Sequence, residues 1–365
     1  MRILLSGGGT GGHINPALSI AKRIMAEKPD TTLAYVGTPK GMENVLVARE
    51  GIPMYHVEVM GFRRSLSPRN IAAAYLAVES VFKAKKIIKE FKPDAVVGTG
   101  GYVCWPVLKA AASMGIPTLV HEQNAIAGVT VKMLSKYVDK VLLAFDETKA
   151  EFPDCPEKLV TVGNPVNPAM AGISREKARE ALGKASPFLL SYGGSLGARP
   201  INEAVYDMLA SHASSSGCTF THAFGRGSYD AWKEKAGKDG LSSVPGVVLT
   251  DYIYDMPVQM AAADLVVCRA GALTLSELAV LRKPAVLIPS PYVANNHQYK
   301  NAKMYSDAGA ASLLEEKDLD GEKLWETVHE LLSSPEKLSS MEKNLEKFAV
   351  EDSDKKIYGI ITEMI

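Results

Sequence analysis

The stretch Arg2-Ile3-Leu4-Leu5-Ser6-Gly7-Gly8-Gly9-Thr10-Gly11-Gly12-His13-Ile14-Asn15-Pro16-Ala17 puts a short apolar run directly before five glycines, with a proline a few residues on. An apolar run of this length bounded by glycine reads as a buried strand. Proline is well accommodated in the first turn of a helix, so Pro16 marks the start of one. The turn Gly7 to Gly12 can converge backbone N–H groups on an anion or close against a ligand. The same order returns in Leu189-Leu190-Ser191-Tyr192-Gly193-Gly194-Ser195-Leu196-Gly197. Two strand–turn–helix openings in one chain predict an α/β protein whose two halves each carry their own sheet.

Outward from these openings, apolar runs at 33–37, 95–98, 118–120 and 141–144 alternate with helical patterns. Runs at 219–223, 247–249, 265–268 and 285–288 repeat the alternation in the second half. This is the pattern of parallel sheets. Two prolines and a glycine in Gly163-Asn164-Pro165-Val166-Asn167-Pro168 interrupt any regular element and place a junction near Val166. The expected domains are 1–165, 166–340 and a helical tail 341–365. The tail's apolar positions Met341, Leu345, Phe348 and Ile357 suit packing on either domain.

The 365 residues, 47% hydrophobic and 22% charged, suit two domains that each bury a core. With 41 basic and 41 acidic side chains, the chain has no surplus charge for general nucleic-acid binding. Cys104, Cys155, Cys218 and Cys268 are widely separated, with neither zinc nor disulfide spacing, and a reduced, cytosolic compartment is expected. The N-terminus is too short for a signal-peptide core, and no window approaches the ~20 apolar residues of a membrane span.

The charge is uneven, however. Arg63, Arg64, Arg69, Lys83, Lys85, Lys86, Lys89 and Lys92 face only Glu79 and Glu90 between residues 61 and 92, and residues 315–356 are acidic. Wound as a helix, residues 70–91 present Ala74, Ala77, Val81, Ala84 and Ile88 to a core. A second stripe, Ile71, Tyr75, Val78 and Phe82, runs into Lys85 and Lys89. That stripe suits either an anionic membrane surface or a helix packed on two sides.

Three further glycine turns follow strands: Gly98 to Tyr102, Gly193 to Arg199, and Arg269 to Glu277. In parallel sheets ligands sit at the carboxyl ends of strands. The start of the helix after Gly271 suits a diphosphate, and Glu277 either accepts from a ribose diol or is an ordinary first-turn acid. The first turn also matches G-x-G-x-x-G, but the second strand ends at Gly37-Thr38 without the acid a dinucleotide needs. His13 is either a general base or a helix-start hydrogen-bonding residue. His121-Glu122-Gln123-Asn124, at a strand end, is a run of polar groups expected to face ligand rather than core. Asn295-Asn296-His297-Gln298 offers side chains suited to sugar hydroxyls, and Asp318-Leu319-Asp320 reads as a helix cap rather than a metal motif.

These stretches together resemble the MurG family of bacterial N-acetylglucosaminyltransferases over nearly the whole chain. The resemblance rests on GGGTGGHINPA at 7–17, GTGGYV at 98–103, HEQN at 121–124, GNP at 163–165, GGSLGA at 193–198 and CRAGALTLSE at 268–277. It implies the glycosyltransferase B fold, two Rossmann-like domains facing a central cleft. It also implies an inverting hexosyltransferase needing neither cofactor nor metal, which moves N-acetylglucosamine from UDP-N-acetylglucosamine to undecaprenyl-diphosphate-linked N-acetylmuramoyl-pentapeptide in cell-wall synthesis. The donor would be met by Thr10, Gly11, Gly12, Asn124, Asn167, Ser195, Ile253, Ala272, Leu273, Thr274, Leu275, Ser276, Glu277 and Gln298. The acceptor would be met in the N-terminal domain by Gly9, Gly100, Gly101 and Tyr102. His13 is the candidate base and Glu122 the second candidate.

Peripheral attachment to the cytoplasmic face of the cell membrane is expected from the apolar stripe running into lysines and from the lipid-linked acceptor, with an anionic surface and other wall-synthesis proteins as partners; the balanced charge argues against nucleic acid. Rival readings are another lipid-acceptor glycosyltransferase, a UDP-sugar epimerase, or a catalytically silent membrane-docked scaffold. Two departures stand out. Many members carry Arg after GNP, where this chain has Val166-Asn167, and Leu196 stands where Gln is common. Asn cannot replace an Arg–phosphate bond, so either donor binding is weaker at this point or another partner such as Arg199 supplies the contact.

Overall fold

The computed structural model describes residues 1–60, 69–170 and 172–365, with residues 69–75 and 294 described by backbone alone. The expectations for Arg63 and Arg64, and for the side chains of Arg69, Ile71, Ala74 and Tyr75, fall outside what is described. The chain divides into two compact units, 1–166 with 352–365, and 167–351.

The first unit is built on a seven-stranded, all-parallel sheet: β1 (Arg2–Ser6), β2 (Thr32–Gly37), β3 (Met54–His56), β4 (Ala95–Gly98), β5 (Thr118–Glu122), β6 (Lys140–Leu143) and β7 (Leu159–Thr161), in the order β3-β2-β1-β4-β5-β6-β7. The second repeats the plan with β8 (Phe188–Tyr192), β9 (Thr219–Ala223), β10 (Val247–Thr250), β11 (Leu265–Cys268), β12 (Ala285–Leu287) and β13 (Ser312–Leu313), in the order β10-β9-β8-β11-β12-β13. β1 and β8, whose sequences echo each other, thus occupy equivalent central places. In each sheet the strand order reverses beside them, at β1/β4 and β8/β11, and this reversal opens the crevice in which doubly wound proteins bind ligands.

The central strands are continuous apolar runs because helices cover both faces. Ile3 and Leu5 face one helical layer and Leu4 the other, all fully buried. Fully burying one such side chain is worth roughly 1.5–3 kcal/mol. Strands β3, β7 and β13, absent from the sequence reading, are two or three residues long and lie toward the sheet edges, where no apolar run is required.

The expected 341–365 tail is divided between the units rather than packed on one. Met341 joins the core of the second unit and Phe348 stacks on its Tyr305, with ring centroids 4.2 Å apart. The helix Ser353–Glu363 then returns to the first unit, burying Ile357 and Ile361 against the helix Gly11–Glu27. An Arg23–Asp354 ion pair of 2.8 Å fastens it there. The boundary at Val166 lies at the proline-rich junction, and residues 341–351 belong with the second unit, beyond the expected limit of 340.

In the helix Arg69–Phe91, Ala84 and Ile88 are buried as the first stripe requires, and Val78 and Phe82 of the second are 59% and 68% exposed. No helix among the described residues is long and apolar enough to cross a membrane. Asp320 caps the helix Gly321–Leu332 by accepting from Lys323 N at 2.7 Å, as a capping residue should.

Candidate active site

In the first unit the turns after β1 and β4 interlock backbone to backbone at the strand-order reversal. Gly8 N–H donates to Gly100 O at 3.3 Å, and Thr99 Oγ1 donates to His13 O at 2.6 Å. A Cβ on Gly101 would collide with Gly8 O, and one on Gly7 with Thr99 Oγ1. These glycines are therefore demanded by close approach as much as by turn geometry. The clasp leaves the N–H groups of Gly9, Thr10, Gly11 and Gly12 without an acceptor among the described residues. They sit at the start of the helix Gly11–Glu27, where Thr10 makes no side-chain cap. Successive unsatisfied N–H groups at a helix start form a ready anion site.

His13 stands half-buried beside this array, its Nδ1 3.0 Å from Gln123 Oε1. Gly100, at φ +103°, makes room for the ring, because a Cβ there would lie 2.6 Å from Nδ1. Gly100 is itself buried, and its N–H meets Cys104 Sγ at 3.2 Å. It therefore shapes the site around His13 and is not the acceptor contact expected of it. Gly101, with no acceptor for its N–H among the described residues, and Tyr102, 62% exposed, remain open to a ligand.

The 121–124 run departs from expectation. β5 extends through Glu122, and His121, Glu122 and Gln123 are all buried, leaving only Asn124 half-exposed. Glu122 is not an available base. Its Oε1 accepts from Asn124 N at 3.0 Å and Asn124 Nδ2 at 3.1 Å, and its Oε2 from Gly128 N at 2.7 Å, so both oxygens hold the loop that follows β5. Asn124 is correspondingly tied down, with its carbonyl accepting from Thr148 Oγ1 at 3.1 Å.

In the second unit, β8 and β9 end in turns that interlock in the same manner. A Cβ on Gly197 would meet Phe224 O, and Asn202 Nδ2 donates to that carbonyl at 2.8 Å. Ser195 stands exposed at the tip. After β11, the helix Ala272–Val280 starts from Gly271 without a side-chain cap, and Leu273 and Thr274 N–H find no acceptor among the described residues.

Of the CRAGALTLSE positions, Leu275 is fully buried and its carbonyl accepts from Tyr305 Oη. Ser276 is also buried, donating to Ala272 O at 3.1 Å. The side chains of Leu275 and Ser276 therefore anchor the helix and do not face a ligand, contrary to the expectation for them. Ala272 is mostly buried and Leu273 and Thr274 half-exposed. Glu277 is half-exposed by surface area, yet its carboxylate makes no hydrogen bond or ion pair among the described residues. Desolvation by the surrounding protein pushes its pKa up to about 7.

Ile253 buries its side chain and leaves its main-chain N–H and C=O unpaired among the described residues. Beside it the guanidinium of Arg226 packs over the rings of Tyr252, at 4.6 Å, and Tyr254, at 5.7 Å. Sequence reading missed this cluster because Arg226 and the two tyrosines belong to different strand-end loops. Gln298 Oε1 accepts from Ser290 N at 2.9 Å and fixes the loop after β12. Asn167, exposed, accepts from Ala169 N at 3.0 Å through Oδ1, a turn cap. Arg199, the candidate for the missing guanidinium, has a side chain that is 86% exposed and pairs with Glu203 at 2.7 Å. No cluster of three or more His, Cys, Asp or Glu with metal-binding geometry occurs among the described residues.

The Glycosyltransferase family 28 N-terminal domain matches residues 3–143, and the Glycosyltransferase family 28 C-terminal domain matches residues 188–357. The chain belongs to glycosyltransferase family 28. Within the family it is 45% identical, over 100% of its length and 98% of the relative's, to the UDP-N-acetylglucosamine--N-acetylmuramyl-(pentapeptide) pyrophosphoryl-undecaprenol N-acetylglucosamine transferase of Acetivibrio thermocellus. It is 42% identical, over 99% of both chains, to the transferase of the same name from Caldanaerobacter subterraneus subsp. tengcongensis. The crystal structure of Acinetobacter baumannii MurG superposes with a TM-score of 0.79 at 30% identity, covering 99% of each chain. Two parallel-sheet α/β units of the glycosyltransferase B kind are what this family member shares with that structure.

Two buried histidines, His121 and His222, are expected to make this chain's stability acid-sensitive. Burial lowers the pKa of His121 to about 4 and that of His222 to about 3. Both folded values lie below the unfolded value near 6.5, so the unfolded chain binds more protons and stability is lost as pH falls below 6.5. At pH 5 the loss reaches about 2 kcal/mol for each unit. Thermal melts at pH 7 and pH 5 should differ accordingly, and His222→Asn should reduce the difference whatever it does to stability at pH 7.

Proposed function

We propose that this chain transfers N-acetylglucosamine from UDP-N-acetylglucosamine to the 4-hydroxyl of undecaprenyl-diphosphate-linked N-acetylmuramoyl-pentapeptide, with inversion at the anomeric carbon. The observation that carries the reading is the full-length likeness to transferases of that name, 45% in the first relative above. The geometry supplies the chemistry. In the first unit, the N–H array at Gly9 to Gly12, with Gly101 and Tyr102, receives the acceptor diphosphate, Thr10, Gly11 and Gly12 meeting the donor as well, and His13 takes the proton of the attacking hydroxyl at Nε2. As that oxygen bonds to the anomeric carbon, the bond to UDP breaks on the opposite face. The negative charge arriving on the diphosphate is met in the second unit by Leu273 and Thr274 N–H at a positively directed helix end, with Ser195 beside it. Glu277 accepts from the ribose hydroxyls, and the free main chain of Ile253 pairs with the uracil edge.

Attachment to an anionic membrane surface at the cytoplasmic face agrees with exposed Val78 and Phe82 in line with Lys85 and Lys89. Such an apolar patch running into lysines lies at a bilayer interface more readily than in water. Placing the acceptor site in the same unit brings it to the lipid-borne substrate.

The Glu277 assignment has its own consequence. Hydroxyl donors stabilise the carboxylate, so the sugar nucleotide binds the ionised form of a group that titrates near 7 when free. UDP-N-acetylglucosamine should therefore bind roughly tenfold more tightly at pH 8 than at pH 6, with proton release in calorimetry. Glu277→Gln should flatten the dependence, and a wild-type affinity independent of pH would remove Glu277 from the ribose.

The function itself is tested by UDP release from UDP-N-acetylglucosamine with and without the lipid acceptor, in the presence and absence of chelator. Acceptor-dependent release that survives the chelator is expected. Conversion of the donor to its 2-epimer without acceptor would mark an epimerase, and preference for a diacylglycerol acceptor a different lipid transferase. Tight donor binding without release under any condition would mark a silent scaffold.

A further inference from the structure

Behind His13 a chain of hydrogen bonds runs through three buried groups, and each link dictates the next. His121 Nε2 lies 2.9 Å from Gly163 O, and a carbonyl only accepts, so that nitrogen carries a proton. The ring is buried and stays neutral, so His121 Nδ1 presents a lone pair. Gln123 Nε2 lies 3.0 Å from that lone pair, 2.9 Å from Thr99 O and 3.0 Å from His121 O. Three acceptors around one end of the amide fix it as the NH2 end, which settles an orientation otherwise ambiguous for glutamine. The other end, Oε1, is an acceptor and lies 3.0 Å from His13 Nδ1. His13 Nδ1 must then carry the proton, and in the neutral ring Nε2 is left as the basic nitrogen.

We propose that Gln123 is a positioning residue that fixes the tautomer and ring plane of His13, reading out through His121 the carbonyl of Gly163 at the chain junction. This rests on the assignment of His13 as base under the proposed function, but the tautomer itself does not. Nothing in the sequence pattern separates this role from ligand contact, since a polar residue after a strand suggests a ligand first. Gln123, 2% exposed, has no surface for a ligand, and all its hydrogen bonds point into the protein.

The test is a long-range 1H–15N spectrum of the full-length, histidine-labelled protein above pH 7, which reports the proton position on each ring independently of activity. Wild type should show His13 as the Nδ1–H form and His121 as the Nε2–H form. Gln123→Leu, close in size and without hydrogen bonds, should shift His13 toward the Nε2–H form. It should lower kcat roughly 10- to 100-fold, the scale for losing an orienting partner of a functional histidine, with donor KM unchanged. Finding His13 as Nε2–H in wild type overturns the proposal even if the variant does not fold. So does an unchanged His13 spectrum in a folded Gln123→Leu. Should His13→Ala keep full turnover, the base assignment falls while the tautomer result stands, so the two failures are distinct.

Discussion

His13→Ala is expected to lower kcat for sugar transfer by roughly 10²- to 10⁴-fold, the range for removing a general base. Donor KM should stay within about threefold, since the loss falls on an interaction made in the transition state. The ring sits next to the unsatisfied N–H array of Gly9 to Gly12. Its Nδ1 is held by Gln123, and Gly100 lacks the Cβ that would displace it. Of the two candidates, Glu122 has both oxygens engaged by loop donors, so Glu122→Gln should act on the order of the loop and not on the pH profile. Steady-state kinetics of both variants across pH 6 to 9 checks the assignment. A turnover for His13→Ala equal to wild type contradicts it.

Gly101→Ala should destabilise the first unit by roughly 2–5 kcal/mol. The residue sits at φ +83°, where an alanine costs about 1–2 kcal/mol. Its Cβ would also overlap the Gly8 backbone, which cannot yield as the end of a flexible side chain can. Gly115→Ala in the same unit isolates the first term, because Gly115 has φ +70° with open space around its Cβ position. Hydrogen exchange at the β1 and β4 amides should show much lower protection for Gly101→Ala and only slightly lower protection for Gly115→Ala. Equal effects would mean that the two glycine turns are not clasped as described.

Much of this architecture was legible in the sequence, for a physical reason. A parallel strand covered on both faces must be apolar throughout, so β1, β4, β8 and β11 announce themselves, and the glycines after them mark where backbone approaches backbone. The edge strands β3, β7 and β13 carry no such obligation and were invisible. The tail showed which positions are buried, through Met341, Leu345, Phe348 and Ile357, but helical periodicity does not say against what, and its two parts go to different units.

The largest departure was the run His121 to Gln123. Polar residues at a strand end point to a ligand on sequence grounds, yet here the carbonyls of Thr99, His121 and Gly163 take buried donors, and His121 and Gln123 supply them. In the 272–277 block, chemistry and packing alternate along one helix. The sequence marked the block, and only burial separated Leu275 and Ser276 from Thr274 and Glu277.

The central claim is that this chain forms a β-1,4 bond between N-acetylglucosamine and a lipid-linked muramoyl acceptor. Incubation with isotopically labelled UDP-N-acetylglucosamine and that acceptor, followed by extraction of the lipid and NMR of its sugar, tests the claim directly. The account predicts label in the lipid as a disaccharide with a β anomeric proton and substitution at the muramoyl 4-position. Label that remains on the nucleotide while the donor is bound, or an α-linked product, would contradict it.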